Sequence, residues 1–364
     1  MKRDDIAQKL NAVAAYDDEN SGHVRVLLRG EALNYNSIMT LSDKDGNRLT
    51  DLEFDIIGNS SCGLFRVHVP GEKYGYLGTD GKFAIQPVYD YAQDFSDNVA
   101  WVQRDGKLYI LDRSGNEVMP EPLPNGEYLV AEPFCEGMSR VSTLNMGGFW
   151  GFMSLAYHHD DSDNAGIWGY VNKAGKIIVP PQYIFAEDFC GGLAVVCQGK
   201  WTIDKKWDNK CNQGRYWSEE MKWGAINSKG EEAIPCRFDE IKWRPWKPND
   251  VWDMEITKRY LAARDMESLK WGLIDFDGNW VVEPQFPDIG HSFETSPNGD
   301  MVVFYSRGIW DDPDGPPCGV YSISKRRILI PADKYLSIEF KSDSVVEVSE
   351  NEWGHNGIEL PIPQ

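Results

Sequence analysis

The sequence predicts an all-β repeat protein. It reads as a curved open array of about seven stacked β-hairpin or three-stranded units behind a short N-terminal capping helix. Three observations predict it. The same parts recur in the same order from residue 37 to residue 358. Within each copy apolar and polar residues alternate with the period of a half-buried strand. Hydrophobic residues make up 41% and aromatic residues 12% of 364 positions, enough for a sizeable core and against disorder.

The elements follow in chain order. In DDIAQKLNAVAAY (4–16), Ile6, Leu10, Val13 and Ala14 recur at helical spacing, which predicts a short cap over the first unit. Residues 1–22 are then cap and linker, and 23–364 the array. HVRVLL (23–28) reads as the third strand of an incomplete unit. SIMTLSDKDGNRLTDLEF (37–54) is a degenerate copy, followed by KYGYLGTDGKFAIQPVY (73–89) and KLYILDRSGNEVMP (107–120). IWGYVNKAGKIIVPP (167–181), KWGAINSKGEEAIPCRF (222–238) and KWGLIDFDGNWVVEPQF (270–286) come next, then CGVYSISKRRILIPADKY (318–335). A second block recurs between copies as DFSDNVAWV (94–102), PFCEGMSRV (133–141) and DFCGGLAVV (188–196), with GNSSCGLFRV (58–67) a looser relative. The C-terminal SVVEVSENEWGHNGIELPIP carries a last Trp353-Gly354.

The spacing within a copy has a physical reading. Six residues separate Gly75 from Gly81, Gly169 from Gly175, Gly224 from Gly230 and Gly272 from Gly278. A first strand such as W-G-Y-V leads into a four-residue turn opened by Asn or Asp and closed by a glycine in the left-handed conformation. A second strand follows and is expected to stop at Pro87, Pro180, Pro235, Pro284 or Pro331, because proline cannot donate to a ladder. The tryptophan supplies apolar area to bury between units, and its glycine lets a neighbouring ring or backbone approach. The D-F-C-G-G-L-A-V-V block is expected to turn into a third strand. Such a unit cannot bury its own apolar face, so units must stack.

This pattern resembles the WG-repeat family of bacterial proteins. Its unit reads roughly K-W-G-Y-I-D-x-x-G-K-x-V-I-P-P-x-Y-D and then D-F-S-E-G-L-A-x-V. The resemblance covers about residues 37–358, and it implies a repeat fold rather than any one activity. Tyr109 replaces the glycine in the 107–120 copy, and the 37–54 copy lacks both Trp and Pro. Units repeat after 35 residues (40 to 75) and 34 (75 to 109), short of the ~40–45 usual for a propeller blade. That favours the open array; a closed seven-bladed β-propeller-like ring is the alternative.

Later units are longer, through insertions at 154–166, 202–221, 242–256 and 307–318. In repeat arrays such insertions tend to fall on one face, often the binding face. Trp207, Tyr216, Trp217, Trp243, Trp246, Trp252 and Trp310 stand there among charges and prolines. Aromatics on loops set on a rigid scaffold are the residue types of binding hot spots, and these seven are the candidate partner-binding residues. Long hairpins that bury their own tryptophans are the competing reading.

Chemistry is sparse. Glycine here leads into another strand, not a helix, and no phosphate-binding loop motif occurs, so nucleotide binding is not expected. His158 and His159 with Asp160, Asp161 and Asp163, and the Asp311, Asp312 and Asp314 run, lack regular ligand spacing, so no metal and no cofactor is expected. Cys135 and Cys190 share the slot of Ser96 and read as buried or turn residues, while Cys211, in an insertion, reads as an exposed thiol. No nucleophile elbow and no H-E-x-x-H appears, so the chain is not read as an enzyme.

Lys and Arg total 37 against 57 Asp and Glu, a net charge of −20. That field repels nucleic acid and anionic membranes and attracts basic proteins. Seven cysteines without C-x-x-C, no apolar leader and no run long enough to span a bilayer fit a cytoplasmic protein. The expected function is a non-enzymatic acidic scaffold for a basic protein partner, such as an immunity or antitoxin-like protein that neutralises a basic toxin. A carbohydrate or small-ligand binder that uses its Trp-rich loops is the alternative.

Overall fold

The structure, a computed structural model, describes residues 2–18, 20–30, 37–124, 130–143, 167–204, 215–242, 260–289, 295–308, 315–350 and 357–363; side chains are described for these except 201–204 and 215–219. The chain divides into two compact units, Met1–Gln182 and Tyr183–Gln364.

In the first unit, helix α1 (Arg3–Lys9) precedes four antiparallel sheets. The first sheet is β1 (Ala14–Asp17), β2 (Val24–Arg29) and β3 (Ile38–Ser42). The second is β4 (Ile56–Ser61), β5 (Leu64–His68), β6 (Tyr74–Gly78) and β7 (Phe83–Tyr89). The third is β8 (Tyr91–Ala92), β9 (Val99–Arg104), β10 (Lys107–Asp112) and β11 (Glu117–Val118). The fourth is β12 (Val130–Ala131), β13 (Met138–Ser142), β14 (Trp168–Asn172) and β15 (Ile177–Tyr183), whose last residue meets the unit boundary.

The second unit repeats the plan. The fifth sheet is β16 (Phe185–Ala186), β17 (Leu193–Asp204), β18 (Arg215–Asn227) and β19 (Glu232–Phe238). The sixth is β20 (Glu240–Lys242), β21 (Leu261–Arg264), β22 (Trp271–Ile274) and β23 (Trp280–Phe286). The seventh is β24 (Met301–Tyr305), β25 (Cys318–Ser322) and β26 (Arg327–Tyr335), and the eighth is β27 (Ser337–Ser342), β28 (Val345–Ser349) and β29 (Ile358–Pro361).

The fold is all-β, as expected, but the sheets are phased differently from the sequence copies. The strand after a D-F-S-type block pairs forward with the next Trp-Gly strand, β13 with β14 and β17 with β18, and β21 pairs with β22 in the same way. A sheet therefore begins in one sequence copy and closes in the next. Five of the eight described sheets have four strands, the extra one often only two or three residues long.

The cores lie between successive sheets, face to face. Tyr76 and Ile85 of the second sheet pack with Ala100, Val102 and Leu111 of the third. Trp101 and Ile110 of the third meet Val141 and Val171 of the fourth. In the second unit, Val195 and Ala225 meet Leu261 and Ala263, and Ala262 and Leu273 on the other face meet Val302 and Tyr321. The second, third, sixth and seventh sheets are thus buried on two faces, which no isolated unit achieves.

Helix α1 is the expected cap. Ile6 packs on Val24 and Val26 of the first sheet. The cap is shorter than its periodicity predicts: Asn11 turns left-handed (φ 50°), and Ala14–Asp17 joins the sheet as β1. Asp18, just beyond β1, ties the first sheet to the second. Its carboxylate accepts the Ser60 N–H (2.8 Å) and Oγ–H (2.6 Å) as well as the Ser21 N–H and Oγ–H.

The Trp-Gly hairpin holds a feature that spacing did not reveal. Pairing jumps from Tyr74↔Tyr89 to Tyr76↔Ile85, so a wide bulge of the second strand stands over Gly75. A Cβ at that glycine would lie 2.8 Å from the Pro87 nitrogen. The same contact is 2.7 Å from Gly169 to Pro181, 2.8 Å from Gly224 to Cys236, 3.0 Å from Gly272 to Pro284 and 2.8 Å from Gly319 to Ala332. The glycine therefore admits a backbone bulge within its own sheet.

The bulge also corrects the expectation that proline ends the strand. The strand runs on through Pro87, Pro180, Pro181, Pro235, Pro284 and Pro331. Bulge amides stand outside the ladder, so proline forfeits nothing there. Where cysteine replaces the second proline, the Cys236 N–H donates to a side chain, Glu232 Oε1, at 2.7 Å.

Candidate functional site

The turns show how the repeat is held and which strand ends carry the loops of variable length. In the turn after each Trp-Gly strand, Asn172 Oδ1 accepts the N–H groups of Ala174 and Lys176, and Gly175 sits at φ 75°. Asp43, Asp112, Asn227 and Asp275 cap their turns in the same way, as the sequence predicts. The D-F-S-type block closes a two-residue turn, with Asp97 at φ 51° and Asn98 at φ 67°. Ser96 Oγ accepts the Phe134 N–H of the next sheet at 2.7 Å. Cys135 and Cys190 occupy the Ser96 position, as expected. Both kinds of turn lie at one end of each sheet, and the loops between second and third strands lie at the other.

Three of the four insertions open from that connection or, in the three-stranded seventh sheet, from its equivalent between first and second strands. Residues 143–167 join β13 to β14, 205–214 join β17 to β18, and 306–317 join β24 to β25. The fourth, 243–260, joins β20 to β21 and so leaves from the opposite end of its sheet. The insertions therefore leave their sheets from both ends.

Trp207, Trp243, Trp246, Trp252 and Trp310 lie outside the described residues, as do His158, His159, Cys211, Asp311, Asp312 and Asp314. For Tyr216 and Trp217 the backbone is described, within β18. It shows that much of the 202–221 insertion is strand. β17 and β18 run for 12 and 13 residues, against four to six in the equivalent strands of the other sheets. Pairing resumes after a bulge in β18, where Glu220 and Met221 stand opposite Gly199, and continues from Lys200↔Glu219 to Asp204↔Arg215. Glu220 takes a left-handed conformation there (φ 56°), and its carboxylate is ion-paired with Lys200 at 2.8 Å. That hydrogen-bonded lysine holds the Glu220 carboxyl below its usual range. The sequence contains the aromatics of this arm, but its strand character emerges only from the pairing.

The stem of the 243–260 insertion is a packed ionic cluster that sequence reasoning missed. Lys242 Nζ lies 4.2 Å from the centre of the buried Trp271 ring and 3.3 Å from Asp288 Oδ1. The Arg264 guanidinium approaches the same ring at 5.6 Å and is ion-paired with Asp239 and, at 3.4 Å, with Glu240. Burial pushes the Glu240 carboxyl up despite these two cations. The Trp-Gly motif placed Trp271; the residues around it come from two other strands and a loop.

The described residues carry little reactive chemistry. Among them no three His, Cys, Asp or Glu side chains converge as a metal site. Burial pushes the Cys197 and Cys236 thiols up to about 12, far from nucleophilic at neutral pH. Among the described residues no helix is long and apolar enough to cross a membrane.

Stacked antiparallel sheets with one hairpin motif repeated along the chain define a β-repeat protein. The model of the WG containing repeat matches residues 74–107, 168–207, 223–246 and 271–294, and the chain is a member of this WG-repeat family. No curated protein matches the sequence. Among solved structures, the chain is similar to the crystal structure of a eukaryotic initiation factor, at 9% identity over 97% of this chain and 88% of that one, with a TM-score of 0.42. It is also similar to the Dos1 propeller (9% identity, 96% and 90% covered, TM-score 0.31). BamB from Moraxella catarrhalis is a third (10% identity, 80% of each chain, TM-score 0.28). At TM-scores this low the likenesses carry no argument about arrangement or role.

Proposed function

We propose that the chain is a non-enzymatic scaffold that holds a basic protein partner in the cytoplasm, in the manner of an immunity or antitoxin-like protein that neutralises a basic toxin. The observation that carries this reading is the division of labour along the chain. The sheets spend their side chains on each other, whereas the length differences between repeats concentrate at strand ends. Aromatic residues at those ends are suited to protein recognition, and the net charge of −20 steers a basic partner toward them.

Affinity capture with the full chain tests it. A discrete protein partner is expected at low salt and should largely persist at moderate salt, because buried aromatic contacts outlast screening. Substitution of Trp243, Trp246 and Trp252 by alanine should weaken capture by about tenfold or more. Recovery of no protein at either salt would overturn the proposal.

A further inference from the structure

The eighth sheet stops one strand short. The second, fourth, fifth and sixth sheets each carry a seven-residue fourth strand outside the third, namely β7, β15, β19 and β23. The eighth runs β27-β28-β29, so β29 is its outer edge. That edge is uncovered: Ile358 is 64% exposed, and Glu359 and Pro361 are exposed as well. The register shows which backbone groups it offers. The Ile362 N–H donates to the Ser344 carbonyl oxygen at 2.8 Å, and the next alternate pairs are Val346↔Leu360 and Val348↔Ile358. In an antiparallel ladder hydrogen-bonded pairs alternate with open ones, so Leu360 and Ile358 bond inward to β28. Glu359 therefore turns its N–H and C=O outward, and Pro361 its C=O. Pro361 has no N–H to offer, which keeps the open edge short.

Side chains along β29 mark what a fourth strand must carry. Register sets Glu339, Glu347 and Glu359 side by side across the three strands. Lys341 serves the first two, at 3.0 Å from each. Among the described residues no cation is paired with Glu359. Glu347↔Glu359 is an open pair, the kind in which side chains come closest, and like charges there repel. On the other face, Ile358 lies beside Val348, which packs on the seventh sheet, but is itself left in solvent.

We propose that the outer edge of β29 takes an extended segment of a basic protein partner as the fourth strand of the eighth sheet, with lysine or arginine opposite Glu359 and an apolar residue on either side of it. Backbone pairing with Glu359 and Pro361 supplies the attachment, as in other strand additions to an open edge. The row of three carboxylates selects a cation at the next position. Residues one place before and after that cation point to the opposite face, where Ile358 offers apolar surface. A second copy of this chain does not fit, because its own β29 brings Glu359 to the same row of carboxylates. This inference rests on the reading of a basic protein partner above and gives that partner a place.

The test uses the full chain and a short synthetic peptide of alternating valine and lysine that carries a fluorophore and a benzophenone cross-linker. Saturable binding is expected, with cross-links confined to 345–349 and 357–363. Glu359→Lys alters one exposed side chain, and it should weaken binding of this peptide by about tenfold or more. The same variant should bind a valine-glutamate peptide about tenfold or more tightly than the native chain does, a gain that an unfolded variant cannot show. No saturable binding, or cross-links found only outside these segments, would overturn the site, and neither readout needs a variant. Unchanged affinity in Glu359→Lys, or equal binding of the two peptides to the native chain, would do the same. A basic protein captured equally by the native chain and by Glu359→Lys, with no peptide cross-linked at the edge, removes this site and leaves the scaffold reading. The peptide seated at the edge with no partner captured removes the scaffold reading and supports the site.

Discussion

Single residues carry two separable glycine roles. Gly224 has no left-handed φ; it is required because the Cys236 backbone nitrogen would stand 2.8 Å from a Cβ. Gly191 is left-handed (φ 62°) with open space around it. Its siblings in the same turn are Asp97 (φ 51°) and Glu136 (φ 50°), so a side chain is tolerated there. Gly224→Ala should therefore cost about 2–3 kcal/mol in denaturant unfolding, and Gly191→Asp less than about 1 kcal/mol. Equal costs would show that the close backbone approach at Gly224 does not set the two positions apart. Asp18 offers a pH-linked counterpart. Burial acts to raise its pKa, but the hydrogen bonds from Ser21 and Ser60 outweigh it, so the folded-state value is lowered. A depressed carboxylate contributes stability above its unfolded pKa of about 3.9 and loses it as pH falls through the lower folded value. Asp18→Asn should destabilise the protein at neutral pH, with a penalty that shrinks below about pH 4. A penalty independent of pH would assign the loss to shape alone.

At the scale of elements, the Lys242 cluster explains how a long insertion leaves a short strand without unravelling it. Lys242→Met removes a cation from over Trp271 and an ion pair from Asp288, and should cost about 1–3 kcal/mol in thermal or denaturant unfolding. No loss would mean the pair is only a surface ornament of the stem. Elements also show where the sequence is legible. The hairpin turns are readable because Asn172 and Gly175 act within a few residues of each other. The helix start is readable from Ile6 and Leu10, but its end depends on β1 finding β2, which is a tertiary event. Strands such as Tyr91–Ala92 are too short to show any period. Alternation in LAVVC fixes which residues share a face, but not that β17 pairs with the following Trp-Gly strand. Proline reads as a stop because the bulge that accommodates it is formed by hydrogen bonds the sequence does not display.

The whole chain has each of its terminal sheets finished differently. Helix α1 covers the first sheet. On the eighth, the face away from the seventh sheet holds Lys341 between Glu339 and Glu347, at 3.0 Å from each. The net charge belongs to this scale too. Partner association should slow by about tenfold between about 50 and about 300 mM salt, while dissociation changes far less. A dissociation rate that carries the whole salt effect would contradict long-range steering. Candidate binding residues were legible only as composition, since Trp207, Trp243 and Trp310 stand where no repeat dictates a partner.

The proline-tolerant bulge over the glycine has a consequence for inheritance. The Trp223-Gly224 strand is aligned from inside its hairpin, and the strand before it is aligned by the two-residue Gly191-Gly192 turn. Neither alignment depends on the loop that joins them. That loop behaves as an editable cassette. Duplication can copy the frame, and later lengthening or shortening of the cassette leaves every rung of the ladder in register.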